Sequence, residues 1–383
     1  MATTAYGTNH PLAVKVWAKK LFVESLKATK FSRFVGTTAS SVVQRRTELS
    51  KGPGDRITIG LRVQMSQVGV LGDAILEGNE EALTTYTDNV YIDQLRSATR
   101  TAGKMSQQRV PFEIREESME ALRDWWADRL DCAFFNQIGG ATSFAVSNNY
   151  NQITVANVTG ANAYSGNQAA IAPDTGTTGH LIICGTLGRT GPDTTEASLS
   201  ATTTNNLDLH DIDRLVAKAK TFSPMIRPIK VGGEDKWVAF LHPYQVYALR
   251  GNTSTGQYID IQKAAMTGGQ VANNPLYTGA LGEYNGVILH EDVRVPPTQD
   301  NGGTGITAAS SQNAYRACFA GAQAASFAVG QDNTDGAMNW VEELFDYENQ
   351  LGVSAGMIFG LKKMVFNSKD FATIVATSYA PAP

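Results

Sequence analysis

The spacing of apolar residues changes several times along the chain, and each change marks a different element. In PLAVKVWAKKLFVESLKATK (11–30), Ala13, Trp17 and Leu21 follow one another at helical spacing behind Pro11, which predicts a helix starting at that proline. Its many polar positions make it an arm rather than a piece of core. In RITIGLRVQM the period drops to two: Ile57, Ile59, Leu61, Val63 and Met65 alternate with polar residues, as in a strand with one buried face, and Gly52, Pro53 and Gly54 punctuate its start. A second extended run from Thr87 to Thr99 offers Val90, Ile92 and Leu95 for a return beside it. Between the two lies a stretch with neither period, including LGDAILEGNEEAL (71–83). Unstructured connections of that length are uncommon inside a compact domain unless they are functional or pack on something outside it, so external packing is expected here.

After Pro111, FEIREESMEALRDWWADRLDCAFFNQI reads as a long helix with Ile114, Leu122, Trp126, Leu130, Phe134 and Ile138 on one inclined face. Glu113, Glu116 and Glu117 suit the positive end of its dipole, and Gly139 and Gly140 stop it. Residues 139–206 turn to Thr, Asn, Gly, Ser and Ala, which predicts short strands such as LIIC (181–184) among turns, in an insertion lying on a surface. DLHDIDRLVAKAKTF then predicts a helix with Asp208, Asp211 and Asp213 at its start. Strands in IRPIKVGGEDKWVAFLH, a short helix from Pro243 to Gly251, a helix near 258–266 and strands at 287–290 and 293–295 follow. Extended AYRACFA and GAQAASFAVG come next, and the chain closes with two long strands, LGVSAGMIFGLKKMVFN and FATIVATSY, joined at 367–370. Helices and strands gathered in blocks argue for an α+β fold rather than a doubly wound sheet.

Charge adds an asymmetry. Residues 1–46 hold eight Lys and Arg (positions 15, 19, 20, 27, 30, 33, 45 and 46) against Glu24 alone, a charge of +7, so the remainder carries −11, with 24 basic residues facing 35 acidic ones. A basic arm on an acidic body favours head-to-tail contact between copies. No run of apolar residues is long enough for a membrane-spanning helix, and MATTAYGTNHPLAV lacks the apolar centre of a signal peptide, so the chain is expected to stay where it is made.

Asp73, Glu77, Glu80 and Glu81 are the first candidates for catalytic chemistry, because clustered carboxylates serve acid–base and metal sites. They have no companions. Five histidines (His10, His180, His210, His242 and His290) are scattered singly and read as surface or capping residues. Cys132, Cys184 and Cys318 stand apart among apolar neighbours as buried thiols. GTLGRTG (185–191) lacks the Lys and Ser or Thr of a phosphate loop. QDNTDGAMNWVE (331–342) imitates a calcium loop through Asn333, Asp335, Gly336 and Glu342, but begins with Gln331, so a turn before a strand accounts for it better. No catalytic residue, metal or cofactor is assigned. Outside the arm, basic residues are limited to scattered positions such as Arg96, Arg100, Lys104 and Arg109, so any DNA contact should be weak and non-specific.

LEGNEEALTTYTDNVYIDQLRSATRTAGKMSQQRVPFEIREE, followed by WWADRLD and later by LFDYENQLGVSAGMIFGLKKMVFNSKDFATIVATSY, resembles the major capsid proteins of tailed phages in the N4-like group. These are similar in fold to the Hong Kong 97 capsid protein (HK97-like fold). The resemblance covers about 66–136 and 340–378, with LGEYNGVILHEDVRVP (281–296) similar to the family's apical-domain strands. It implies an N-terminal arm (1–50), an extended loop hairpin (51–100), and a peripheral domain with the spine helix and the insertion (101–205). An axial domain (206–330) follows, and then return strands of the peripheral domain (331–383). It implies a shell of pentamers and hexamers enclosing double-stranded DNA in the virion. The expected partners are other copies, a portal protein, scaffolding and decoration proteins, and DNA on the inner face, with no membrane. An encapsulin-like nanocompartment is the alternative with the same fold. The short arm before the hairpin suggests a separate scaffold protein or none, and no residue is assigned to covalent crosslinking. In such shells the extended loop crosses a neighbouring subunit, so the carboxylates at 73, 77, 80 and 81 are expected to meet Arg96, Arg100, Lys104 or Arg109 of another copy.

Overall fold

The longest strand, β14 (Gln350–Lys363), carries three glycines four positions apart, and their spacing explains how the chain packs around it. Gly352, Gly356 and Gly360 point to one face, where a Cβ on Gly356 would lie 2.9 Å from Arg96 Cγ and one on Gly360 would run into the carbonyl of Tyr91. The structure, a computed structural model, describes residues 30–50, 52–109, 113–141, 166–175, 179–185, 205–252, 282–297, 314–330 and 338–380. The basic arm helix, the helix near 258–266, the phosphate-loop imitation beyond Gly185 and most of 139–206 lie outside these residues.

β14 organises the first sheet. On one edge it pairs with β5 (Asp93–Arg100) through Gly352–Phe359; on the other it carries β13 (Asn339–Phe345) and β12 (Ala325–Val329) end to end. The parallel pairs β12 with β2 (Val43–Arg46) and β2 with β1 (Val35–Gly36) complete it. β3 (Arg56–Arg62) and β4 (Thr85–Tyr91) form a separate two-stranded ribbon. The predicted alternation holds in β3: Ile57 is buried and Ile59 and Leu61 half-buried, with exposed residues between them. The return run predicted over 87–99 is two strands, because at Ile92 the chain leaves β3 and β5 moves to β14.

The second sheet orders β6 (Leu181–Ile183), β17 (Thr373–Tyr379), β11 (Ala314–Ala320), β8 (Glu234–Leu241), β10 (Val287–Glu291) and β9 (Glu283–Tyr284), with β7 (Ile229–Val231) also on β8. The expected grouping of 331–383 does not follow the sheets: β13 and β14 belong to the first, β17 to the second. A small hairpin of β15 (Val365–Phe366) and β16 (Lys369–Asp370), turning at Asn367 and Ser368, makes the transfer. Val293–Val295 is a turn and not a strand; Asp292 Oδ1 accepts from Arg294 N at 2.8 Å. Gly166–Gln168, expected on the surface with the rest of the insertion, are buried: Asn167 Nδ2 donates to the carbonyls of Asp93 (3.1 Å) and Phe359 (2.9 Å), joining β5 to β14.

α1 (Lys104–Arg109) is short, and α2 (Ile114–Gly139) is the predicted spine, closed by Gly140 in the left-handed region at φ 62°. Every residue from Arg129 to Gly139 is buried, polar ones included, because this half of α2 lies between the sheets. Trp126 meets Phe359 of the first sheet at 6.1 Å between ring centroids, while Phe134 and Phe135 meet Phe240 of the second at 5.6 and 5.4 Å. Such edge-to-face contacts contribute about 0.5–1.5 kcal/mol each beyond the area they bury. α3 (Leu209–Thr221) begins with a capping box in which Asp208 and Asp211 accept from each other's backbone N–H, and α4 (Pro243–Gly251) begins at the predicted proline.

Candidate inter-subunit interface

Pairing in the ribbon stops one bond past Arg62 and Thr85, at Val63 N to Thr84 O (3.0 Å), and the chain from there to Thr84 runs as a loop without strands. Gly72 (φ 61°) and Gly78 (φ 88°) supply its left-handed bends. One carboxylate holds its two legs together. Glu81 accepts from Ser66 N (2.9 Å), Gln67 N (2.7 Å) and Ser66 Oγ (3.2 Å), and the backbone bonds from Ser66 and Gln67 hold its pKa below the usual carboxylate range. Gln67 Nε2 bonds back to the carbonyl of Asn79. Glu80 Oε2 accepts from Gly78 N at 2.7 Å. Two of the four expected contact carboxylates are therefore occupied inside their own loop. Asp73 and Glu77 have no hydrogen bond or ion pair to another described residue.

The loop also displays apolar side chains that no described residue covers. Val68 is 95% exposed, Leu71 84% and Ile75 73%, and Met65, Leu76 and Leu83 are more than half exposed. Exposed apolar side chains gathered on one loop mark a contact surface or an aggregation hazard. The base of the hairpin is its opposite. Buried Asp88 accepts from Lys362 Nζ and from Val365 N (3.0 Å), and Lys362 also donates to the carbonyl of Asn89 (2.9 Å), fastening the ribbon to the end of β14.

The four expected counter-charges lie elsewhere. Arg96 and Arg100 share the exposed face of β5, where Arg100 sits 4.3 Å over the ring of Phe345. Lys104 and Arg109 open and close α1, and the backbone N–H of Lys104 donates to Asn349 Oδ1 at 3.2 Å. Within the chain no ion pair joins these residues to the loop carboxylates.

Other acids and bases serve packing. Glu342, the last ligand of the calcium-loop imitation, instead accepts from Arg115 Nε (2.9 Å) and Trp340 Nε1 (2.9 Å); residues 331–337 lie outside the described set. Arg294 donates to Asp128 Oδ1 (2.8 Å) and Asp131 Oδ2 (2.9 Å), tying the turn after β10 to the spine, and Lys30 Nζ pairs with Asp292 Oδ2 at 3.0 Å. Lys363 and Asp370, both fully buried, pair at 2.7 Å; burial raises the pKa of Asp370. The three cysteines are buried and unbridged, and burial pushes the thiols of Cys132 and Cys318 up to about 12. His242 is a capping histidine as expected: its Nδ1 accepts from Tyr244 N at 3.2 Å. His180 is buried rather than superficial. Among the described residues no group of three His, Cys, Asp or Glu is placed to hold a metal, and no helix is long and apolar enough to cross a membrane.

A family model described as phage capsid protein matches residues 3–382, nearly the whole chain. The chain belongs to the phage capsid protein family. It is similar to the major capsid protein of Pseudomonas phage KPP25, 32% identical over 372 residues, with 94% of this chain and 93% of that one covered. Its fold is similar to that of the capsid of Ralstonia phage GP4, with a TM-score of 0.73 and 32% identity, covering 100% of this chain and 99% of that one. The capsid of cyanophage Pam1 shares the fold at 19% identity, with a TM-score of 0.71 and 94% of each chain covered. This is a major capsid protein of a tailed phage with the HK97-like fold, a structural component of the icosahedral virion head built from many copies of itself. These similarities favour the phage head over the nanocompartment. The protruding loop then belongs to an assembling subunit.

Proposed function

We propose that this capsid protein closes its shell by laying the 63–84 loop across an adjacent copy, with the apolar side chains supplying most of the contact and Asp73 and Glu77 setting its register. The observation that carries this reading is the pairing of an internally stapled loop with exposed Val68, Leu71 and Ile75. Arg96, Arg100, Lys104 and Arg109 offer basic positions along the neighbour. Exposed ion pairs contribute only about 0–1 kcal/mol each, so they select the partner and its alignment more than they add affinity. The first sheet with the spine fits the role of a peripheral domain and the second sheet that of an axial domain. Membership of the N4-like group, a portal protein at one vertex, scaffolding and decoration proteins, and non-specific contact with packaged DNA belong to the same reading.

Replacing Val68, Leu71 and Ile75 together by Ser tests it. The variant is expected to fold and stay soluble but to give no closed particles by electron microscopy; shells at wild-type yield would show that the loop does not carry assembly.

A further inference from the structure

Between Ile59–Leu61 of β3, β2, β12 and the turn that ends at Phe371 lies a cavity of about 170 Å³. Among the described residues two cations line it, Arg46 and Arg227, and no carboxylate does. The terminal nitrogens of Arg46 are taken up by Gln44 Oε1 (2.9 Å) and Glu48 Oε1 (3.4 Å), and Arg227 donates to Gln323 Oε1. Two polar atoms are left over. Ser326, 1% exposed, has a buried Oγ without a hydrogen-bond partner, and so does Arg46 at Nε. Neither atom has accessible surface, so both sit behind the wall of the cavity, and the charge open to it is the exposed guanidinium of Arg227, which forms no ion pair with another described residue. What the cavity lacks is an oxygen acceptor, best a charged one. Its remaining wall is apolar, through Leu61 and Phe366.

We propose that this cavity is the socket for Glu77 of another copy's loop, an inference that rests on the reading that the loop crosses a neighbour. Glu77 has no partner among the described residues, follows the exposed pair Ile75 and Leu76, and would bring an anionic acceptor and apolar neighbours together. The cavity is smaller than the roughly 300–1,000 Å³ of a small-molecule site, which suits a single side chain. The basic arm is the wrong sign for it: residues 1–30 carry five lysines against one glutamate. Because tip and socket occupy different parts of the same chain, the contact is heterologous, and repetition head to tail closes a ring when the rotation between copies allows.

The test is thiol crosslinking in assembled heads with a short bis-maleimide. Background is low because the native cysteines are buried. Gly60 borders the cavity, and a Cβ there would meet no atom within 4 Å, so Gly60→Cys should fold normally. Heads of Glu77→Cys/Gly60→Cys are expected to give a ladder of covalent multimers on a denaturing gel, and either single variant none. If Glu77→Cys crosslinks to Arg100→Cys but not to Gly60→Cys, the socket is wrong while the crossing loop stands. If closed heads form and neither pair crosslinks, both readings fall. As a second readout, Arg227→Glu should abolish assembly, and Arg227→Glu/Glu77→Arg should restore it; failure of the exchange to rescue a soluble, folded Arg227→Glu chain overturns the socket.

Discussion

The 63–84 loop and the wedge of rings around Phe240 are both rich in large apolar residues, yet they use them in opposite ways. In the wedge, Phe34, Phe134 and Phe135 surround Phe240 at centroid distances of 4.9–5.6 Å, so helix and sheet complete each other within one chain. In the loop the same chemistry faces outward and the polar groups turn inward, with Glu81 and Glu80 spent on backbone N–H groups. The body is a finished fold. The loop is shaped in advance but unfinished, and ordering it before contact lowers the entropic cost of contact.

The largest effect that would sharpen this contrast is expected in the wedge: Phe240→Ala should lower the stability of the unassembled chain by about 3–5 kcal/mol in denaturant unfolding. The triple serine change in the loop should shift that same measurement by less than about 0.5 kcal/mol, and a larger shift would mean that the loop packs on its own chain. Next, Lys363→Met strands Asp370 and should cost about 3–5 kcal/mol, most of it recovered when Asp370→Leu is added.

Acid provides the third test. Burial lowers the pKa of His180 and of His242 to about 4 each. The unfolded chain takes up these protons near pH 6.5 and the native chain only near pH 4, so stability should fall as pH drops through that window. The slope is at most about 1.4 kcal/mol per pH unit for each histidine. Glu81 is depressed instead: its contribution is full above the ordinary carboxylate range and is lost as pH falls below it. Asp211, whose pKa burial raises to about 7, works in the opposite direction over the same window, so the test is the difference in thermal unfolding between the unmodified chain and His180→Asn/His242→Asn from pH 7 to 4; a difference that does not change with pH would break the comparison. The smallest effect belongs to Glu81→Gln, which should leave the unfolding midpoint unchanged and speed hydrogen exchange or protease cleavage at Ser66 and Gln67.

The contrast also explains what could be read from sequence. β3, the spine and the helix starts at Asp208 and Pro243 were legible because period, cap and breaker are local signals. β17 was legible as a strand but not by sheet: Thr373–Ser378 are buried on both faces, so no alternation indicates its partners. The fastening of Asp88 to Lys362 spans 274 positions and leaves no local trace. The loop carboxylates were visible as a cluster, but which of them hold the loop and which reach out depends on backbone N–H directions that composition does not carry. The socket stayed hidden for the same reason, since Arg46 and Ser326 meet only when β2 pairs with β12.

The pairing of β5 with β14 has a mechanical consequence. β4 passes into β5 across the single residue Ile92, so tension applied at the loop runs along β5 towards Arg100. Ladder bonds lie across the strands, and the eight residue pairs from Gly352–Arg100 to Phe359–Asp93 would be sheared together rather than peeled one by one. A pull on the loop from outside the subunit would thus strain the chain along the direction in which its backbone yields last.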